Sequence, residues 1–78
     1  MTREITLDAR KMDAPEPLFA TLDCLDAMQS GESLRLLIHR EPVMLYPQLQ
    51  EMKIPWQVVA HGHPDWIILI GPVPQRNT

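Results

Sequence analysis

Few side chains in this sequence have the reactivity that catalysis or covalent chemistry requires. Cys24 is the single cysteine of the 78-residue chain, which excludes an intramolecular disulfide and a zinc site built on several thiolates. Asp23 and Asp26 flank it, and no basic neighbour in sequence would lower its pKa. We therefore predict that Cys24 is an inert, half-buried thiol on the flank of a helix.

The segment HGHPD places two histidines and an aspartate close together. An H-x-H pair can present two imidazoles on one side of a strand, as metal sites require. No third ligand is obvious in the sequence, and Gly, Pro and Asp are typical turn residues. We therefore predict a turn, in which His61 and His63 are weak candidates for metal ligands. No cofactor is predicted for the protein.

A third set of polar residues follows the first two predicted strands. Ligands of open α/β sheets usually bind at the carboxyl ends of the strands, so a ligand or partner crevice is predicted from Asp8, Arg10, Ala14, Glu16, His39, Arg40 and Glu41, with Asp13 nearby. The alternative is a structural ion-pair cluster in which Arg10 or Arg40 holds Asp8 or Glu41. No Ser-His-acid set, Gly-rich phosphate loop or pair of catalytic acids stands out, so a non-enzymatic role is favoured.

Composition narrows the classes of partner. The net charge is −3, and the basic residues are scattered, which argues against nucleic-acid binding. The longest apolar stretch, WIILI at 66–70, is too short to span a bilayer, and no N-terminal run resembles a signal peptide. We expect a soluble cytoplasmic protein whose partner is another protein or a second copy of itself, without nucleic acid or membrane.

Periodicity predicts the elements β-α-β-α-β-β. Strands are expected in REITLDA, SLRLLIH, PWQVVAHG and WIILIG, where apolar residues alternate or run together. A helix is expected from Pro15 to about Gln29, ended by Gly31, and a second one begins near Met44 or Leu45 or is kinked at Pro47. Residues 1–71 form one domain in this interpretation, and residues 72–78 form a flexible tail.

The predicted fold is an α/β two-layer sandwich. The first two strands are parallel with a right-handed crossover, and the last two form a hairpin. Strands two and four are the most apolar on both faces, so they belong in the centre, with strands one and three at the edges. Both helices lie on one face of the mixed four-stranded sheet.

The other face of that sheet is expected to be open. Leu37 and Val59 share it with either Ile68 and Ile70 or Ile67 and Leu69, depending on the register, and we predict that Leu37, Val59 and Ile68 belong to it. A contiguous apolar patch of this kind usually marks an interface. The alternative is that the C-terminal tail or the tryptophans cover it.

The start of the first helix has an unusual composition. With Pro15 as its first residue, Ala14 is the N-cap and Pro17 the third residue, so neither proline removes an intrahelical hydrogen bond. Alanine is a poor cap and loses about 1 kcal/mol relative to Ser or Asp. A helix start is also where a reactive side chain would gain most from free N–H groups and the helix dipole.

The segment LDARKMDAPEPLFATLDCL resembles the signature of the TusA/SirA-like sulfur-carrier superfamily. That resemblance implies the same β-α-β-α-β-β fold and a Cys-Pro-x-Pro motif whose cysteine carries a persulfide. Leu7, Asp8, Arg10, Pro15, Glu16 and Pro17 match the pattern, but Ala14 replaces the cysteine. Sulfur transfer through position 14 is therefore chemically excluded in this chain.

A second segment, Ile38 to Pro42 followed by Leu45, Tyr46 and Pro47, resembles an uncharacterised TusA-related family of small proteins that commonly lack the carrier cysteine. The resemblance covers about residues 4–71 and implies the fold more than the function. The leading hypothesis is a non-catalytic protein-binding or adaptor domain. The alternatives are an accessory or carrier-like role in sulfur trafficking through Cys24, and a small-ligand or metal sensor.

Overall fold

The computed structural model describes residues 3–62 and 64–75 of the chain. Its elements are β1 (Glu4–Asp8), α1 (Glu16–Ala27), β2 (Ser33–Ile38), α2 (Leu45–Glu51), β3 (Trp56–His61) and β4 (Trp66–Ile70). The predicted element order and the mixed α/β class are both confirmed. Within the described ranges, neither helix is long and apolar enough to cross a membrane.

The four strands form one sheet in the order β1-β2-β4-β3. β1 and β2 are parallel, while β4 is antiparallel to both of its neighbours. The doubly apolar strands β2 and β4 therefore occupy the centre, as predicted. This arrangement brings the carboxyl ends of β1 and β2 to one end of the sheet, where the chain crosses into α1 and α2.

One continuous core lies between the sheet and the two helices. Its fully buried side chains include Leu34 and Leu36 from β2, Ile68 and Ile70 from β4, and Leu25, Leu45 and Leu49 from the helices. Because every one of these residues belongs to a single cluster, both helices pack on the same face of the sheet. The fold is thus the two-layer sandwich that the sequence predicts.

The register corrects the prediction for the open face. Ile68 is the partner of Leu36 and is fully buried in the core, so its assignment to the open face is wrong. The residues paired on the open side are Leu37 with Ile67 and Arg35 with Leu69. β4 is apolar at every position, so alternation alone could not show which of its residues face the helices.

A β-bulge explains the position of Val59. Val58 pairs with Ile68 and Ala60 with Ile67, which leaves Val59 as the extra residue between them. Its side chain is 48% exposed on an edge strand. Val59 therefore has no partner in the paired rows, whereas the prediction had placed it on the same face as Leu37.

The chain after β4 is held against the domain at least as far as Val73. This residue is buried, its N–H donates to the Glu32 carbonyl at 2.8 Å, and its carbonyl accepts from Gly31 N–H at 2.8 Å. Val73, which belongs to the predicted tail of residues 72–78, is the last buried side chain among the described residues. Residues 76–78 of the predicted tail lie outside the described residues.

The helix α2 starts and ends with identifiable local structure. Pro47 is its third residue, where no intrahelical N–H is lost, so the prediction of a first-turn proline is confirmed. At the other end the Ile54 N–H donates to the Leu49 carbonyl at 2.9 Å and the Lys53 N–H to the Gln50 carbonyl at 3.1 Å. These two bonds form a Schellman motif, which needs a left-handed residue, and Lys53 supplies it with φ 59°.

Lys53→Gly should stabilise the protein, because glycine adopts the left-handed conformation without the steric cost that a Cβ imposes. We expect the free energy of unfolding to rise by about 1 kcal/mol in urea denaturation. Lys11→Gly is the matched control, since Lys11 is not among the described residues with positive φ. A Lys53→Gly protein no more stable than the wild type would show that position 53 bears no such strain.

Candidate functional site

The residues predicted to form one crevice lie in two separate places. Asp8 and Arg10 form a local ion pair: Arg10 Nε and Nη2 donate to the two Asp8 carboxylate oxygens at 2.8 and 2.7 Å. The third guanidinium nitrogen, Arg10 Nη1, lies 3.6 Å from Asp65 Oδ2, just before β4. This cluster ties the loop after β1 to the start of β4 and matches the structural alternative considered for these residues.

The pleat of β1 causes the separation. Side chains alternate along a strand, so Leu7 faces the helices while Asp8 faces the open side with its partner Leu37. Ala14 and the start of α1 lie over the opposite face. Two residues six positions apart thus end on different sides of the sheet, although both follow the same strand.

Ala14, His39, Arg40 and Glu41 do come together, around a groove of about 440 Å³ at the start of α1. Its floor is made by buried core residues, Thr21, Leu36, Ile38 and Leu45. We call this feature the entrance groove. Its volume and mainly apolar lining fall within the range of sites that bind small molecules or short peptide segments. Glu16 is exposed and does not line it.

The two sides of the entrance groove come from different connections. Pro15, Pro17 and Leu18 line it from α1, and the segment Pro42 to Met44 lines it from the β2–α2 connection. Val43 is 57% and Met44 70% exposed, unusual values for large apolar side chains. Apolar surface is therefore presented to solvent at the lip of a groove that is itself apolar.

Charged side chains lie around this apolar groove. The other described arginines, Arg3, Arg10 and Arg35, each pair with a carboxylate within 4.0 Å. Arg40, by contrast, makes no ion pair with any described residue, and it lines the groove with Asp13. The charge of Arg40 is thus not consumed in an ion pair that holds the described fold together.

Glu41 has a structural partner of its own. Tyr46 Oη donates to Glu41 Oε2 at 3.3 Å, and the Tyr46 ring stacks on Trp56 with centroids 5.3 Å apart and planes 4° from parallel. Burial of the hydroxyl, followed by the Glu41 charge, raises the pKa of Tyr46 to about 12. The carboxylate at the groove is thereby linked through α2 to the edge strand β3.

The helix start itself differs from the prediction. The N-cap of α1 is Pro15, so Glu16 is its first residue and Pro17 its second; the assignment of Ala14 as cap is wrong. The Glu16 N–H donates to the Asp13 carbonyl at 2.9 Å and the Leu18 N–H to the Pro15 carbonyl at 3.1 Å. Within residues 15–18, the prolines lack an N–H and the other two are used, so no donor is left for an anion at position 14.

Cys24 is half-buried in α1, as the sequence predicts. Burial, and then the charge of Glu32, raise the pKa of its thiol above the ordinary value of 9.0. The thiolate is the nucleophilic form, so the surroundings of Cys24 make it less reactive than a free cysteine near neutral pH.

The suggested histidine pair is only partly described, because His63 lies outside the described residues. His61 is exposed, and its ring lies 5.5 Å from that of Trp66, measured between centroids. Among residues 3–62 and 64–75, no group of three or more His, Cys, Asp or Glu side chains is placed to hold a metal ion.

Sequence reasoning missed most of the apolar lining of the groove. The predicted site residues were mostly polar or charged, whereas Pro17, Thr21, Val43 and Met44 also line the groove. A signal was present in the run PVM at 42–44, three apolar residues in a connection where exposure is expected. Thr21 is fully buried because its hydroxyl donates to the Pro17 carbonyl at 2.7 Å.

The ion pair between Asp8 and Arg10 can be tested by measuring the pKa of Asp8 in an NMR titration. The hydrogen bonds from Arg10 lower the pKa of Asp8 from 3.8 to about 2. The folded-state pKa is depressed, so the pair favours the folded state above about pH 4, and this contribution is lost as pH falls through about 2. Arg10→Gln should return the Asp8 midpoint towards 3.8.

Arg35→Gln is the matched control for that titration. It removes the arginine paired with Glu4 on the same face and should leave the Asp8 midpoint unchanged. A wild-type midpoint near 3.8 would mean that the pair does not persist in solution.

Cys24 should be alkylated slowly by iodoacetamide. Since burial raises the thiol pKa, the folded protein at pH 8 should react several-fold more slowly than the same chain unfolded in urea, and its rate should still rise above pH 9. The reaction is followed by mass spectrometry of the intact chain. Faster reaction in the folded state would reveal an activated thiol and contradict this account.

Comparison with known proteins gives one match. The family model described as "Uncharacterized conserved protein (DUF2249)" matches residues 6–72. No curated protein and no solved structure matches the chain. The matched range contains all of α1, α2, β2, β3 and β4, most of β1, and the whole entrance groove. The chain therefore belongs to the DUF2249 family of uncharacterized conserved proteins.

Proposed function

We propose that this protein is a non-catalytic adaptor domain that holds a short apolar segment of a partner protein in the entrance groove. The observation that carries the proposal is the exposure of Met44 and Val43 beside an apolar floor. Leaving such side chains in water is unfavourable, and a partner segment that covers them gains free energy on binding.

The composition of the groove suits a protein segment. Methionine is flexible and polarizable, and it is over-used at surfaces that adapt to a partner chain. Met44 lies just ahead of α2, so its side chain can repack without disturbing the buried Leu45 next to it. Pro15, Pro17 and Pro42 give the walls rigid backbone at both connections.

The charges at the groove indicate which residues should flank the apolar part of the partner segment. Asp13 and Glu41 place two carboxylates at the groove against one guanidinium, that of Arg40, and the whole chain carries a net charge of −3. A partner segment with an apolar centre and a basic residue beside it complements this surface. Electrostatic attraction of this kind contributes to the rate and orientation of association more than to affinity.

The relationship to the TusA/SirA-like sulfur carriers belongs to the same proposal. The element order and the Ala-Pro-Glu-Pro segment at the start of α1 support it. In this hypothesis the scaffold kept the surface around the helix start and exchanged the sulfur-bearing thiol for a methyl group. Binding to protein partners is then the role that remains.

Two alternatives have weaker support. Sulfur carriage through Cys24 requires a reactive thiolate, and burial raises the pKa of that thiol instead. A small-ligand sensor is supported by Arg40, which has no ion-pair partner among the described residues and could hold the carboxylate of an apolar molecule. Arg10 and His61, also considered for a sensor, do not line the groove.

Blocking the groove tests the proposal. Ala14→Phe adds a ring at an exposed position of the groove, while Ala27→Phe adds the same ring at the exposed far end of α1. Twelve-residue peptides are selected from a random display library on the wild-type protein. We expect them to share apolar residues with a basic neighbour and to bind Ala14→Phe at least about tenfold more weakly, with Ala27→Phe unchanged.

Three results would contradict the proposal. One is a library from which no peptide is enriched, and another is a set of peptides that bind Ala14→Phe as well as they bind the wild type. The third is saturable binding of octanoate that shifts the amide signals of Thr21 and Ile38 and is lost in Arg40→Gln but not in Arg3→Gln. That result would replace the adaptor by the small-ligand alternative.

A further inference from the structure

The open face of the sheet has a defined composition that the entrance groove does not explain. Two rows of side chains cross it: Asp8, Leu37, Ile67 and Ala60 form one, and Thr6, Arg35, Leu69 and Gln57 form the next. The apolar centre of both rows is half-buried and is not covered by a helix, since both helices pack on the other side.

The charged side chains of these rows, Asp8 and Arg35, and that of the neighbouring Glu4 all take part in ion pairs. Arg35 Nε donates to Glu4 Oε1 at 2.9 Å, and Arg10 pairs from the loop with Asp8 and also lies 3.6 Å from Asp65. The remaining side chains of the two rows are uncharged. The one acidic and the one basic side chain of the rows, Asp8 and Arg35, therefore balance each other around a centre made by Leu37, Ile67 and Leu69.

The helical face of the molecule has the opposite character. α1 and α2 together carry Glu16, Asp23, Asp26 and Glu51 and no lysine or arginine. Two copies of an acidic protein repel each other through such a surface. The balanced face is where two copies can approach without this repulsion and without leaving a charge unpaired.

From this distribution of charge we propose that two copies of the chain pack face to face through their open sheets, in a twofold dimer centred on Leu37, Ile67 and Leu69. In a twofold interface both copies contribute the same surface patch, so that patch must be complementary to itself. An apolar, internally neutralised surface meets this condition, whereas a surface with net charge does not.

The small size of the chain is a physical reason why a dimer would be more stable than the monomer. A domain of 78 residues buries a smaller fraction of its surface than a larger one, and its stability is correspondingly small. Face-to-face packing would turn the two-layer sandwich into four layers, with the two sheets about 10 Å apart. The entrance groove lies on the helical side and remains accessible in this arrangement.

Sedimentation equilibrium of the full chain measures the dimer. We expect a monomer–dimer equilibrium for the wild type, and at least a tenfold weaker one for Leu37→Glu, because two carboxylates would then face each other in the interface. Gln57→Glu is a milder second variant at an exposed position of the same face, and circular dichroism verifies that both variants fold. Phe19→Glu is the matched control, since Phe19 is 57% exposed on α1.

The charge argument adds a second measurement. Association through a balanced face should change little with salt, because few unpaired charges are brought together. In a mixed sample of labelled and unlabelled chains, intermolecular NOEs should connect the methyl groups of Leu37 and Ile67. A wild type that stays monomeric at roughly 1 mM, or a dimer that Phe19→Glu disrupts while folded Leu37→Glu and Gln57→Glu do not, would overturn the proposal.

Discussion

The pairing of β2 with β4 is the constraint on which the rest of the structure depends. β4 is apolar on both faces and β2 is nearly so, with Ser33 and Arg35 as its polar residues, so the sheet needs both strands in its interior, with β1 and β3 added at the edges. With β2 fixed beside β1 and parallel to it, both crossover connections leave the same end of the sheet. This common exit creates the entrance groove, which is the gap between the two connections above the buried carboxyl end of β2.

Two helices are enough to cover only one face of four strands, and this determines how the surfaces are divided. The covered face gains the core of Leu25, Leu45 and Leu49, and the acidic residues of both helices then point to solvent on that side. On the other face, Asp8 is paired with Arg10, and Arg35 is paired with Glu4. One surface is therefore acidic with an apolar groove, and the other is balanced with an apolar centre.

The sequence predicted the fold well because the fold is encoded in averages along whole elements. The doubly apolar character of β2 and β4 placed them correctly, and the change from strand to helix periodicity located α1 and α2. Single positions were harder. The phase of β4 is invisible in a run of apolar residues, and the bulge at Val59 shifts the alternation of β3 by one residue.

The candidate site was only half predictable for a related reason. Chain order brought Asp8 and Ala14 into one expected crevice, but the pleat of β1 sends them to opposite faces. Residue type alone also could not distinguish the two arginines. Arg10 pairs with Asp8 and holds a loop, whereas Arg40 has no ion-pair partner among the described residues. Identical side chains differ here only in what surrounds them, and sequence spacing carries no information about those surroundings.

The methyl group at Ala14 acquires a physical meaning from this arrangement. A thiolate at that position would need backbone donors, yet within residues 15–18 prolines and local hydrogen bonds leave none. The methyl group at position 14 and the absence of free donors are therefore consistent with each other, and both make the helix start apolar. In our proposal the space beside this methyl group, the two prolines of the helix start and the exposed Met44 is occupied by an apolar segment of a partner protein.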